Sequence, residues 1–265
     1  MTVTAARENI RTLGHKALGI FKYTGAVSIL IWQIILTLPR KPFRIGQTVK
    51  QITKIGMESL PIVSLISFFT GMVLALQSAY QMQKISAEMY IASLVALSMT
   101  RELGPVLTAL IVAGRCGASI TAELGTMRVT EQIDALETMG TNPINYLVMP
   151  RFWALLISLP VLTIYSDIIG ILGGYVIGRY KLGITHHMYQ RMTFEPLRHK
   201  DIYSGLLKSV VFAIIICVIA CYEGMNTKEG AEGVGKATTS SVVRSFILII
   251  AADCLLTALL YFIGH

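Results

Sequence analysis

Charged side chains make up only 14% of this 265-residue chain, against about 25% in an ordinary soluble domain. Acidic residues are the scarcer kind, 15 against 23 basic ones, which leaves a formal net charge of +8. Cysteines number only four, too few and too scattered for a disulfide framework. So little charge excludes a disordered segment or a solvated coiled coil and fits a soluble enzyme poorly. Apolar residues take the place of charge: they are 54% of the chain, and the mean hydropathy is +0.63.

A helix needs about 20 apolar residues to cross roughly 30 Å of hydrocarbon. Five runs are long enough. Residues 59–83 carry no charge, 89–114 only Arg101 and Glu102, 152–178 only Asp167, 202–222 only Lys208, and 245–264 only Asp253. A sixth uncharged run, 23–39, is short and has Lys22 on one side and Arg40, Lys41 and Arg44 on the other. Basic residues at both ends place both ends on one side, so this run reads as an interfacial or re-entrant elbow helix in preference to a sixth short span. The expected fold is an all-α integral membrane protein, an N-terminal elbow helix followed by five transmembrane helices. It forms a single domain over 1–265, with an interfacial region at 1–58 and the bundle at 59–265.

Nine basic residues precede the first span: Arg7, Arg11, Lys16, Lys22, Arg40, Lys41, Arg44, Lys50 and Lys54. By the positive-inside rule the N-terminus is cytoplasmic, and five spans then put the C-terminus outside. Loops 115–151 and 223–244 fall in the cytoplasm. Loop 179–201 falls outside despite its own five basic residues. The basic residues flank spans without an aromatic platform, which argues for headgroups and against nucleic acid.

Charges inside a bilayer are expensive, about 2.5–3.5 kcal/mol each on insertion scales. Arg101 and Glu102 are adjacent, so they point about 100° apart on a helix and serve different neighbours or line a wet cavity. Lys208, Asp167 and Asp253 are the possible partners. Lys208 could also snorkel to the outer interface, and Asp253 could bond a neighbouring helix. Pro105 removes a backbone donor one turn after the pair, so a kink or loosened turn is expected. Near the outer end of the first span Leu74, Ser78, Gln81, Met82 and Ile85 share one face, which could line a lipid-sized groove or simply pack. Gly170, Gly174 and Gly178 make a small-residue stripe on the third span, suited to close helix approach within the bundle or across a dimer.

In the loop between spans two and three, Thr130 can cap a helix over 131–139, with Gly140 at its C-terminal stop. Val129, Ile133, Leu136 and Met139 form its apolar stripe, while Glu131, Asp134 and Glu137 lie largely away from it. Such a short amphipathic helix suits docking into a groove on a soluble partner, and its acidity argues against anionic headgroups. The spacing Asp134-Ala135-Leu136-x3-Gly140 resembles a degenerate EAA loop, by which ABC importer permeases engage their ATPases.

Catalytic patterns are wanting. Gly230-x4-Gly235-Lys236 is followed by Ala237, where a phosphate loop needs Ser or Thr for magnesium. His186, His187 and His199 lack metal-ligand spacing, and Cys217 and Cys221, one turn apart, read as small core residues. Ser119 does not sit in a nucleophile elbow. The chain therefore reads as a transport subunit with no ATPase site, and without a metal or cofactor of its own.

Several stretches resemble the MlaE permease family: Ala96-Leu97-Ser98, Arg101-Glu102-Leu103-Gly104-Pro105, Ala113-Gly114-Arg115, and Thr121-Ala122-Glu123-Leu124-Gly125. Met127-Arg128-x-Thr130-Glu131-Gln132, Pro150-Arg151-Phe152-Trp153-Ala154, Gly71-Met72-Val73-Leu74 and Lys208-Ser209-Val210-Val211-Phe212 agree as well. The resemblance implies the permease of an ABC-type phospholipid transporter in the inner membrane of a Gram-negative bacterium, serving outer-membrane lipid asymmetry. It implies a homodimer working with a cytoplasmic ATPase (MlaF-like) that holds ATP and magnesium, a STAS-domain protein (MlaB-like) and a periplasmic MCE-domain hexamer (MlaD-like). Phospholipid would then sit at the dimer axis. On that reading Arg101, Glu102, Lys208, Leu74, Ser78, Gln81 and Met82 contact lipid. Glu131, Ile133, Asp134, Leu136, Glu137, Met139 and Gly140 couple to the ATPase. Two rivals are an ion-coupled secondary transporter, which should show an inverted repeat, and an intramembrane lipid-modifying enzyme, which needs a nucleophile or metal.

Overall fold

In hydrocarbon every backbone polar group must be satisfied within its own segment, and the chain answers with helix. The computed structural model describes residues 2–37, 45–85, 87–228 and 230–263. It contains five helical stretches long and apolar enough to cross a membrane, Ile45–Met82, Glu88–Val129, Ile144–Tyr180, His199–Met225 and Gly230–Phe262. These are the five expected spans, and each helix outlasts its apolar run because backbone bonding continues into polar sequence. Arg40, Lys41 and Arg44 lie outside the described residues, as do Gly264 and the side chain of Ile85.

The N-terminal helix α1 (Thr2–Thr37) carries the short apolar segment Phe21–Thr37. Leu30, Ile34 and Thr37 are buried, whereas Phe21, Ile29, Trp32 and Ile35 are exposed. A single i, i+4 stripe meets the bundle, the pattern of a helix lying against it. Next, α2 (Ile45–Gly56) runs through a 3₁₀ turn at Met57–Ser59 into α3 (Leu60–Met82). The first helical stretch thus reaches back into the polar approach.

The second stretch consists of α4 (Ile91–Ser98), a π-helical turn at Met99–Leu103, α5 (Gly104–Val112), a second π-turn at Ala113–Gly117, and α6 (Ala118–Val129). Residues 115–129, expected as the start of a cytoplasmic loop, are instead helix. The apolar run ends at Gly114, but the helix remains packed: Ile120 and Leu124 are buried, and Thr121 Oγ1 lies within hydrogen-bond distance of the Ala220 carbonyl, 3.1 Å, and of Ser241 Oγ, 2.9 Å. The expected loop 223–244 shrinks in the same way, since α10 (His199–Met225) is followed directly by α11 (Gly230–Ile263). The glycine-lysine stretch at 230–236 is therefore helical. Within the loop 179–201, α9 (His186–Phe194) forms a short helix.

Helix α8 (Met149–Tyr180) is the central strut. It lies against α3 so closely that a Cβ on Gly71 would collide with the Gly170 carbonyl, and one on Gly173 with the Phe68 carbonyl. Ser67 and Ser166 share a hydroxyl–hydroxyl bond of 2.7 Å, and so do Ser64 and Tyr165. The glycine stripe is used inside the bundle. Met99 fills the space at Gly170, and Tyr189 of α9 fills it at Gly174 and Gly178. Burial alone pushes the Tyr189 phenol up from its ordinary range. By contrast, α3 leaves Leu65, Phe69 and Val73 exposed, and α11 leaves Val243, Ile247, Ile250, Leu255 and Leu259 exposed.

Candidate functional site

The site begins with a missing proton. Pro105 has no N–H to return to the Arg101 carbonyl four residues earlier. The backbone adjusts by the π-turn, in which the Gly104 N–H reaches Met99 O. The carbonyl of Arg101 is taken by Lys208 Nζ at 3.0 Å.

Lys208 is 1% exposed, far from the snorkelling geometry that was one expectation for it. An ammonium has three protons. They go to Arg101 O, to Glu102 Oε2 at 2.5 Å and to Thr257 Oγ1 at 2.8 Å. Asp253 Oδ1 lies 2.9 Å from the same nitrogen as a charge contact. Thr257 in turn donates to Glu102 at 3.2 Å. One buried cation thus holds together the π-turn, α10 and α11 and faces two carboxylates.

Arg101 turns elsewhere, as adjacency on a helix requires. Its Nε and Nη2 both meet Asp201 Oδ1, at 2.7 and 2.6 Å. Asp201 Oδ2 accepts the Arg198 backbone N–H at 2.9 Å and so caps α10. The side chains of Arg101 and Glu102 remain 53% and 41% exposed, while that of Asp201 is 6% exposed. The cluster is therefore anchored on a buried side and open on the other, which is what recognition of a charged headgroup requires.

Of the three partners named from sequence, Lys208 and Asp253 join the cluster and Asp167 does not. Asp167 Oδ1 is buried with no hydrogen-bond partner among the described residues, pressed against Gly104, where a Cβ would overlap it. Asp201 and Thr257 were not identified from sequence, although the signal was there. Asp201 lies seven residues before Lys208 and Thr257 four after Asp253, which is same-face spacing on a helix.

The first-span stripe adjoins the cluster without touching its charges. Leu74 and Met82 pack on a small separate core of Ala75, Ala79, Ile91, Val95 and Met99, to which Leu103 of the π-turn also contributes. Ser78 is half-buried and Gln81 exposed.

At the opposite end, the expected loop helix is α7 (Gln132–Thr138). Thr130 does not cap it: its hydroxyl donates back to Thr126 O at 2.8 Å, and Glu131 takes the cap position at φ 59°. Gly140 ends the helix at φ 71°. Its N–H bonds Glu137 O, and the Thr141 N–H bonds Leu136 O, both at 2.9 Å, the paired stop that favours glycine. The apolar stripe divides. Ile133 is 2% exposed and Leu136 packs beside it, whereas Val129 and Met139 face outward. Asp134 pairs with Arg128, which leaves Glu131, Glu137 and Met139 on the free edge. Nearby, the buried Arg151 meets Glu123 at 3.0 Å and Leu147 O at 2.6 Å.

All four cysteines are free, with Cys116, Cys217 and Cys221 buried and Cys254 exposed. Among the described residues no group of three or more His, Cys, Asp or Glu side chains is placed to hold a metal ion.

The chain is similar to known permeases over nearly its whole length. The chain is 47% identical to a probable ABC transporter permease protein of Rickettsia felis over 250 residues, 94% of this chain and 96% of the relative. It is 37% identical to the intermembrane phospholipid transport system permease protein MlaE of Haemophilus influenzae over 256 residues, covering 96% and 98%. It is 36% identical to the chloroplastic protein trigalactosyldiacylglycerol 1 of Arabidopsis thaliana over 236 residues, covering 89% of this chain and 67% of that protein. The family described as Permease MlaE matches residues 48–259, which hold the whole Arg101–Lys208–Asp253 cluster, and the chain belongs to that family.

Proposed function

We propose that this permease binds phospholipid at the Arg101–Glu102–Lys208 cluster and moves it across or out of the inner membrane. The observation that carries the reading is the cluster's two-sidedness. Lys208 is sealed at 1% exposure while Arg101 and Glu102 keep about half of their side chains open. Burying an ion network costs desolvation that only complete pairing offsets, whereas a guanidinium left half open keeps N–H groups free to take a phosphate. Leu74, Ser78, Gln81 and Met82 would line the path of the acyl chains. The phospholipid-transport name of the Haemophilus relative supports the same cargo.

Energy would come from a cytoplasmic ABC ATPase, consistent with the names of the Rickettsia relatives, and ATP and magnesium would sit there. The free edge of α7, with Glu131, Glu137, Met139 and Gly140, would meet that ATPase. Ile133, Asp134 and Leu136 would hold α7 on the bundle. The exposed apolar faces of α3 and α11 suit a second copy of the chain. A STAS-domain protein, a periplasmic MCE hexamer and a role in outer-membrane lipid asymmetry complete the proposal, with the N-terminus cytoplasmic and the C-terminus periplasmic. The test is gentle purification from native membranes. An ATPase and phospholipid should accompany the chain; a solitary, lipid-free protein would overturn the reading.

A further inference from the structure

A second polar constellation lies at the other end of the long second stretch. Arg115 follows Arg101 by 14 residues, roughly 21 Å along a helix, and occupies the second π-turn. It pairs with Glu58, and its Nη1 donates to Ser59 Oγ at 2.9 Å. A cavity of about 170 Å³ opens between this turn and α2. Ile55, Cys116 and Ile120 form its floor, and Gln51, Lys54, Ser119 and Arg115 reach its wall.

We propose that this cavity is a second headgroup site, on the leaflet opposite to Arg101, that takes the phosphate of a phospholipid. The inference rests on the lipid-permease reading above and adds a site that the cluster does not contain.

The donor set is the first reason. Lys54 supplies an ammonium whose nearest carboxylate, Glu123, stands 3.9 Å away and is already held by Arg151 at 3.0 Å. The Ser119 hydroxyl and the Gln51 amide take no hydrogen-bond partner within the described residues. Ammonium, guanidinium, hydroxyl and amide thus converge on one small space. The single carboxylate on the wall, Glu58, is occupied by Arg115. One cation is left over, and a phosphodiester carries the one negative charge that matches it.

Depth is the second reason, and it selects lipid over free phosphate. The cavity lies where α2 turns into the uncharged first span. On α2 the apolar side chains Ile45 and Val49 are exposed, and so is Met57 in the turn that follows. A helix with apolar side chains outward and Lys50 and Lys54 beside them rests at the headgroup level. A lipid there can place its phosphate in the cavity and its acyl chains along α3.

The test places the photoreactive residue p-benzoylphenylalanine in the full complex in cells, at Gln51 in one strain and at Ser78 in another. Adducts are identified by mass spectrometry. Capture of phospholipid from Gln51 is expected, weakened about threefold or more by Lys54→Gln, the size of one partly exposed charge contact. Glu58→Gln, which frees the Arg115 guanidinium, should increase capture; a fall in capture would overturn the charge match. Capture from Ser78 without capture from Gln51 would overturn this inference and leave the proposed function standing, and capture from neither would overturn both. Capture from Gln51 that ignores Lys54→Gln reports bulk lipid only and also overturns it. Loss of capture in inverted vesicles given excess inorganic phosphate would assign the cavity to free phosphate and overturn the lipid source.

Discussion

Lys208 Nζ donates to the Arg101 carbonyl at 3.0 Å, the carbonyl that Pro105 leaves without its helical partner. A proline is thus one of the means by which a lysine is held inside the membrane. Pro105→Ala should return a competing N–H, tighten the π-turn and loosen Lys208. The expected outcome is a folded permease with reduced lipid retention after purification, measured as phospholipid phosphorus per chain. Retention equal to wild type would separate the π-turn from the site.

Removing Lys208 leaves Glu102 and Asp253 facing each other without a cation. Breaking a buried pair from one side costs about 3–5 kcal/mol, and Glu102 is open enough to place Lys208→Ala at or below the lower end of that range. The triple variant Lys208→Met, Glu102→Gln, Asp253→Asn should recover most of the lost stability in detergent thermal unfolding without recovering transport. Recovery of both would show the cluster to be scaffolding.

Arg101 makes a different prediction because Asp201 also caps α10. Arg101→Ala should lower lipid occupancy; it also leaves the 6% exposed Asp201 carboxylate with the Arg198 N–H as its remaining partner, so unfolding should shift by about 1–3 kcal/mol while the cap holds the helix. Normal occupancy in this variant would assign Arg101 a structural role.

Gly170 faces the Met99 side chain, and a Cβ there overlaps it. Gly170→Val should cost about 1–3 kcal/mol by overpacking and displace Met99 at the start of the π-turn. Gly25, with open space around its Cβ position, is the control; Gly25→Ala should be neutral or slightly stabilising. Thermal unfolding of both variants in the same detergent decides it.

The two ends of the α7 stripe should respond in opposite ways. Ile133→Asp buries a carboxylate at a 2% exposed position and should lower the amount of inserted protein. Met139→Asp, at a 70% exposed position, should leave insertion unchanged and reduce recovery of the ATPase in pull-downs. Undiminished ATPase recovery would remove α7 from the docking surface. Leu136→Asp is a weaker probe, because Leu136 packs against the core.

By itself the sequence determined the number of spans, the short N-terminal segment beside them and the residues that carry intramembrane charge. These follow from a one-dimensional cost: an uncharged run of sufficient length is driven into hydrocarbon, and each charge within it stands out. Family membership was legible in the block around Arg101–Glu102 and Pro150–Arg151. Gly140 was legible as a helix stop, because few residues other than glycine accept a positive φ without strain. The spans' true lengths were not, since Arg115–Val129 is polar by composition and helical by its packing on α10 and α11. The cap of α7 was not legible either, because Thr130 bonds backward to Thr126 and Glu131 turns the chain.

Which charges meet was decided only by tertiary structure. Lys208 could have snorkelled, Asp167 could have paired, and the glycine stripe could have faced a second copy; each choice depends on how helices far apart in sequence are brought together. The close approach of α8 to α3 sets the bundle's geometry, and the placement of α10 and α11 beside the π-turn brings Glu102, Lys208 and Asp253 together in a cluster with one buried and one open side.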